Sequence, residues 1–177
     1  MPVSAFKTIG LLIILALSPY SQATEIHTSD YRLSISPRSP EQIGAFYEAR
    51  GFPRPAITLL QQHCYLTVYF RNTSDHIIWL DLNNWQFRSA GNKLPRRDRG
   101  YWLQVWRDMG LAMRFQSTFR WTLMPERLDF RPDEREGGNL ILPYTEQPIE
   151  LEATIKIQGP QTETIKTIQM SNILCKR

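Results

Sequence analysis

Cysteine and histidine are scarce in this chain. Among 177 residues there are two cysteines, Cys64 and Cys175, and three histidines, His27, His63 and His76. That scarcity removes several chemistries. No Cys-x-x-Cys occurs, so the thioredoxin-type redox pair and the paired-cysteine zinc site are both absent. No two histidines have zincin spacing. His63 beside Cys64 is no ligand pattern either, because adjacent residues in a strand point to opposite faces. Gly-x-Ser-x-Gly and a glycine-rich phosphate loop are both missing, which takes away the nucleophile elbow and the nucleotide cradle. There is no internal repeat and no low-complexity linker. The sequence therefore implies no catalytic constellation, no resident metal and no cofactor.

Long apolar runs are also missing, except for Ile9–Leu17. That run follows a short start whose one charge is Lys7 and precedes Ser21-Gln22-Ala23. A cationic start, an apolar core too short to span a bilayer and small residues before a cut site make a secretory leader. Residues 1–23 are expected to be a signal peptide cleaved near Ala23. Residues 24–177 are expected to form one domain, periplasmic or secreted, with no membrane span. Loss of Lys7 with the leader takes the formal charge from +4 to +3. So small a surplus does not call for nucleic acid. In an oxidising compartment Cys64 and Cys175 are most simply a disulfide.

What is present is a period of two. In Cys64–Arg71 the set Cys64, Leu66, Val68 and Phe70 shares a face. Asn72–Asp75 reads as a turn, and Ile78, Leu80 and Leu82 resume the alternation, which suggests a hairpin. Asn83-Asn84 breaks the phase before Trp85 and Phe87, so a bulge is expected there. Further alternation runs through Tyr31–Ile35, Phe119–Leu123, Leu128–Phe130, Leu140–Leu142, Ile149–Ile157 and Ile165–Cys175. Ser39–Gly51 reads instead as a helix, with Ser39 as cap, Pro40 in the first turn and Gly51 past the end. Pro55–Gln62 suggests a second helix, the pair covering one open end of the fold. The expected class is all-β: an antiparallel, immunoglobulin-like sandwich of about eight or nine strands, with one or two short inserted helices near the N-terminus. Leu123-Met-Pro-Glu-Arg-Leu-Asp-Phe130, the acidic turn and Gly137-Gly138 before Leu140–Leu142 broadly resemble the late strands of bacterial immunoglobulin-like domains. The resemblance implies a fold and no activity.

Charge is unevenly placed. Arg88–Arg120 holds eight cations and two acids, and Glu126–Glu152 holds three cations and eight acids. Arginine outnumbers lysine sixteen to five, and its planar fork suits carboxylates, phosphates and aromatic faces. Arg96, Arg97, Arg99 and Arg107, with Trp102 and Trp106, are therefore the candidate partner-binding residues. Residues 101–109 fit a strand or a helix. The helical period is favoured, since it aligns Trp102, Val105, Trp106 and Met109. On that period the tryptophans also suit a packed stripe, and the two charged stretches could neutralise one another.

The function expected from these features is non-enzymatic: an exported accessory protein of the bacterial cell envelope that acts by binding an envelope protein or an anionic envelope component. One alternative is a glycan or small-ligand module that stacks its ligand on Trp102 and Trp106. Another is a hydrolase using paired carboxylates, Glu126 with Asp129 or Glu134 with Glu136. The acidic loop near Asp133 has a weak calcium-like character, and Asn72-Thr73-Ser74 matches a glycosylation acceptor.

Overall fold

A computed structural model describes residues 23–177. The expected leader lies outside these residues, apart from Ala23 itself. The elements run β1 (Thr24–His27), β2 (Tyr31–Arg38), α1 (Pro40–Glu48), α2 (Arg54–Gln61), β3 (His63–Asn72), β4 (Ile77–Ser89), β5 (Asn92–Lys93), α3 (Arg99–Asp108), α4 (Met113–Thr122), β6 (Arg127–Phe130), β7 (Arg135–Pro143), β8 (Ile149–Gln158) and β9 (Glu163–Ile173). One sheet has the order β1-β2-β3-β7 and the other β5-β4-β8-β9, with β6 also beside β4. Every strand pair is antiparallel.

The period of two decides which side chains meet between the sheets. Leu66, Val68 and Phe70 of β3 and Leu140 and Leu142 of β7 face Ile78, Leu80, Phe87, Leu151 and Ile155 of the second sheet in one core. Alternating strands of this kind bury one face each. The disulfide joins Cys64 on β3 to Cys175 just beyond β9, with Cα atoms 5.3 Å apart. It therefore ties one sheet to the tail of the other.

Three expectations are corrected. First, residues 64–71 and 76–82 do not form a hairpin, because β3 and β4 lie in different sheets. The corner between them is filled by Asn72, which is fully buried. Its Nδ2 donates to the carbonyls of His76 (2.6 Å) and Phe130 (2.9 Å), and its Oδ1 accepts from Ser74 N. With the corner's polar groups satisfied, the chain crosses the core and the two apolar faces meet front to front. Asn72 of the glycosylation-like triplet is thus a packed corner residue. Second, Phe119–Leu123 is not a strand. Gln116 and Phe119 are buried in α4 at helical spacing, while Trp121 points out. Third, the described residues form four helices, and they lie on the outer face of the first sheet. Tyr65 and Ile141 reach out from that sheet into a second core with Tyr47, Leu60, Trp102 and Phe119.

Other expectations match. Ser39 accepts from Gln42 N, Gln42 answers at Ser39 N, Pro40 opens α1, and Gly51 has φ 72°. The β4 register shifts between Leu80 and Trp85. Residues 99–108 are helical.

Candidate functional site

The six residues singled out from the sequence are not brought onto one surface. Trp102 and Trp106 are each 1% exposed and stack on one another at 5.1 Å, with Phe119 against both. Spacing of four residues turns both rings inward on one helix face, so neither offers a face for a ligand. Arg96 makes a two-pronged ion pair with Glu126, at 2.9 and 2.6 Å. The basic stretch is thus joined to the acidic one, as charge neutralisation would have it. Arg99 donates to the Leu123 carbonyl. Arg97 lies over the Tyr101 ring, and its backbone N–H donates to Ile141 on the edge of β7. These contacts tie the start of α3 and the segment before it to the stretch between α4 and β6 and to β7. Arg107 is exposed and donates to Gln104 on its own helix.

The carboxylates weighed for catalysis are likewise taken up in separate contacts. Glu126 holds Arg96, whereas Asp129 is exposed on β6 opposite Trp79 of β4. Glu134 accepts from Arg131 N, and Glu136 accepts from Gly137 N. Among the described residues no group of three or more His, Cys, Asp or Glu side chains is placed to hold a metal ion.

The strongest candidate lies elsewhere, in a groove of about 600 Å³ on the outer face of the first sheet. The helices cover that face only at the Tyr65–Ile141 end. Beyond them, Phe46 of α1 forms one wall and Trp121 of α4 the other. Trp121 is 86% exposed, the most exposed of the large apolar side chains described. An indole held on a helix and left in water is a rigid amphipathic contact at low entropic cost.

The floor is polar and ordered. Arg38 Nε donates to Thr67 Oγ1, and Thr67 Oγ1 donates to Asn139 Oδ1, both at 2.9 Å. This chain crosses β2, β3 and β7 and fixes each side chain's direction. Tyr69, 39% exposed, extends the floor beside Gly137. Gly138 has a structural reason: a Cβ there would lie 2.4 Å from Met124 N, where the chain leaving α4 crosses β7. Among the described residues no acidic side chain lines the groove, and Arg38 is its one charge.

Behind the groove, burial raises the Tyr47 hydroxyl's pKa against the opposing pull of its bond to Thr122, and burial raises Tyr65 further. Both phenols therefore stay neutral as parts of the wall's support. Burial lowers the His63 imidazole below its ordinary 6.5; the Leu59 carbonyl opposes this and Arg97 reinforces it.

No family model matches the chain. No curated protein matches it. Among solved structures it is similar to ycdA of Bacillus subtilis subsp. subtilis str. 168, a protein provisionally assigned as a lipoprotein, with a TM-score of 0.43 and 12% identity. The match covers 85% of this chain and 39% of that one, so the chain spans well under half of that protein's length.

Proposed function

We propose that this chain is an exported, non-enzymatic binding protein of the bacterial cell envelope, and that the groove between α1 and α4 is where it captures its partner. The observation that carries this reading is Trp121, 86% exposed over a floor of fixed hydrogen-bonding side chains. Concave sites with apolar walls and a few placed polar groups are the usual form of a binding pocket. Export is supported by the leader-like residues 1–23 and by the disulfide. Among the described residues no helix is long and apolar enough to cross a membrane. The groove replaces residues 96–107 as the place of engagement, because the tryptophans there are packed and three of the four arginines are held by the fold. An immunoglobulin-like topology belongs to the same proposal. It is supported by the way β2-β3-β7 faces β4-β8-β9, with sheet crossings after β3, β6 and β7.

A photo-crosslinking residue at position 121, introduced in intact cells, should trap an envelope component that the same residue at position 107 does not. Trp121→Ala should weaken capture of that component by about thirtyfold, the effect of losing an interface hot spot. Equal trapping at both positions, or capture unchanged by Trp121→Ala, would remove the groove from consideration.

A further inference from the structure

The outer face of the first sheet continues past the groove, and its next feature is a row of cations. Arg32 on β2 pairs in register with Arg71 on β3, and Arg71 pairs with Arg135 on β7. Alternation puts all three on the outer face, opposite the buried Tyr31, Leu33 and Phe70. His27 on β1, the register partner of Arg32, extends the row. Neighbouring strands lie about 4.8 Å apart, so three guanidinium stems rise from a span of about 10 Å. Like charges placed directly opposite one another destabilise a sheet.

Few acids answer them. Glu25 pairs with His27 at 3.0 Å, and Asp133 pairs with one nitrogen of Arg71 at 3.1 Å. Arg32 and Arg135 have no ion-pair partner among the described residues. Arg71 Nε is buried and has no hydrogen-bond partner among the described residues. The row also adjoins the groove. Tyr69 and Gly137, paired on the groove floor, stand two residues before Arg71 and two after Arg135 on antiparallel strands. That is a step of about 7 Å along the sheet. Gly137 has no side chain to interrupt the path.

We propose that the groove and this row form one elongated site for an acidic saccharide. Its sugar rings lie against Trp121 and Tyr69, and its carboxylate, sulfate or phosphate groups meet Arg32, Arg71 and Arg135. The inference rests on the reading of the groove as a binding site. Three features favour a saccharide over other acidic ligands. The floor's central strand β3 is paired on both edges, and the outer edge of β7 is already engaged at Asn139 and Ile141 by Met124 and Arg97, so an extended polypeptide finds little free backbone to join. Its polar groups are side chains in fixed positions, which suit hydroxyl groups. The site is recessed between Phe46 and Trp121, whereas a bilayer surface needs a flat or convex face. Arginine forks supply the charge-assisted, two-pronged contacts that such anions accept.

The test uses the disulfide-bonded protein and five probes: polygalacturonate, dextran sulfate, uncharged dextran, poly-L-glutamate and vesicles containing phosphatidylglycerol. Binding to polygalacturonate or dextran sulfate is expected, and it should weaken steeply with added salt. Arg32→Glu with Arg135→Glu should weaken it by about tenfold or more, and so should the neutral pair Arg32→Gln with Arg135→Gln. Trp121→Ala should also weaken it, and Arg107→Glu should leave it unchanged. These arginines are ligand-facing side chains, so circular dichroism of the variants should match that of the parent. Equal binding of uncharged dextran, or tighter binding of poly-L-glutamate or vesicles, overturns the proposal. So does indifference to the Arg32/Arg135 variants. If the crosslinked partner depends on Trp121 but not on Arg32 and Arg135, the acidic ligand falls and the groove reading stands. If it depends on neither, both fall.

Discussion

At the scale of single residues, the same side-chain type takes opposite roles according to which way its helix face turns. Trp102 and Trp106 are 1% exposed and Trp121 is 86% exposed, yet all three lie on short helices within or at the end of the basic stretch. The first two were legible as a stripe at spacing of four. Trp121 was not, because Phe119, Trp121 and Leu123 also alternate as a strand would, and alternation alone assigns all three one face. His63 carries a prediction at this scale. Its Nδ1 lies 2.9 Å from the Leu59 carbonyl and its ring packs edge-on against Trp102. Because burial lowers its folded pKa below 6.5, the unfolded chain takes up a proton here more readily than the fold does. The stabilising contribution is complete above the unfolded value and is lost as pH falls through the folded one. His63→Gln should therefore show a smaller drop in thermal midpoint than the parent between about pH 7.5 and pH 5.5. An equal drop in both proteins would place the sensitivity elsewhere.

Between elements, junctions decide what periodicity leaves open. The alternation of β3 and β4 gave each strand its buried face correctly, but the partner of each depends on Asn72 and the corner it fills. Nothing local in Asn-Thr-Ser-Asp distinguishes a hairpin turn from a crossing between sheets, because both need a polar corner. Helix α1 was legible almost to the residue, since its cap, first-turn proline and terminal glycine act locally. The helices' position was not, because it depends on Tyr65 and Ile141, residues that local alternation assigns to a wet face. Gly137-Gly138 stands ahead of the alternating Leu140–Leu142 in sequence but lies within β7. At Gly138 the reason is the chain leaving α4, where a Cβ would lie 2.5 Å from Met124 Cα. Backbone on both sides cannot swing aside as a flexible side chain can. Gly138→Ala should cost about 1–3 kcal/mol by overpacking, measured by denaturant titration. It should weaken ligand capture too, because it displaces the segment that follows Trp121. Loss below about 0.5 kcal/mol would mean that the junction yields.

For the whole molecule, two cores share one sheet. The sandwich core lies on one face of β3 and β7 and the helical core on the other, so the groove is the uncovered remainder of a sheet face whose opposite face is fully packed. A rigid floor of that kind suits preorganised binding. The disulfide acts at this scale, across 111 residues of sequence. On the chain-entropy account, closing so long a loop stabilises the fold by about 4–5 kcal/mol. Cys64→Ala with Cys175→Ala should lower unfolding stability by an amount of that order, read from the denaturant midpoint at unchanged slope. A loss under about 1 kcal/mol would show that the reduced chain is already restricted.

The same bridge sorts the two walls of the groove. Phe46 precedes Cys64, whereas Trp121 lies between Cys64 and Cys175 and so sits inside the covalent ring. One wall hangs from a free arm and the other belongs to a closed circuit. A protease that clips the exposed corner at Asp133, where φ is 64°, severs the backbone of that circuit without releasing either piece. The clipped molecule keeps its mass and comes apart only when a reductant is added. A cut between α1 and α2, by contrast, detaches the Phe46 arm from every covalent tie to the rest.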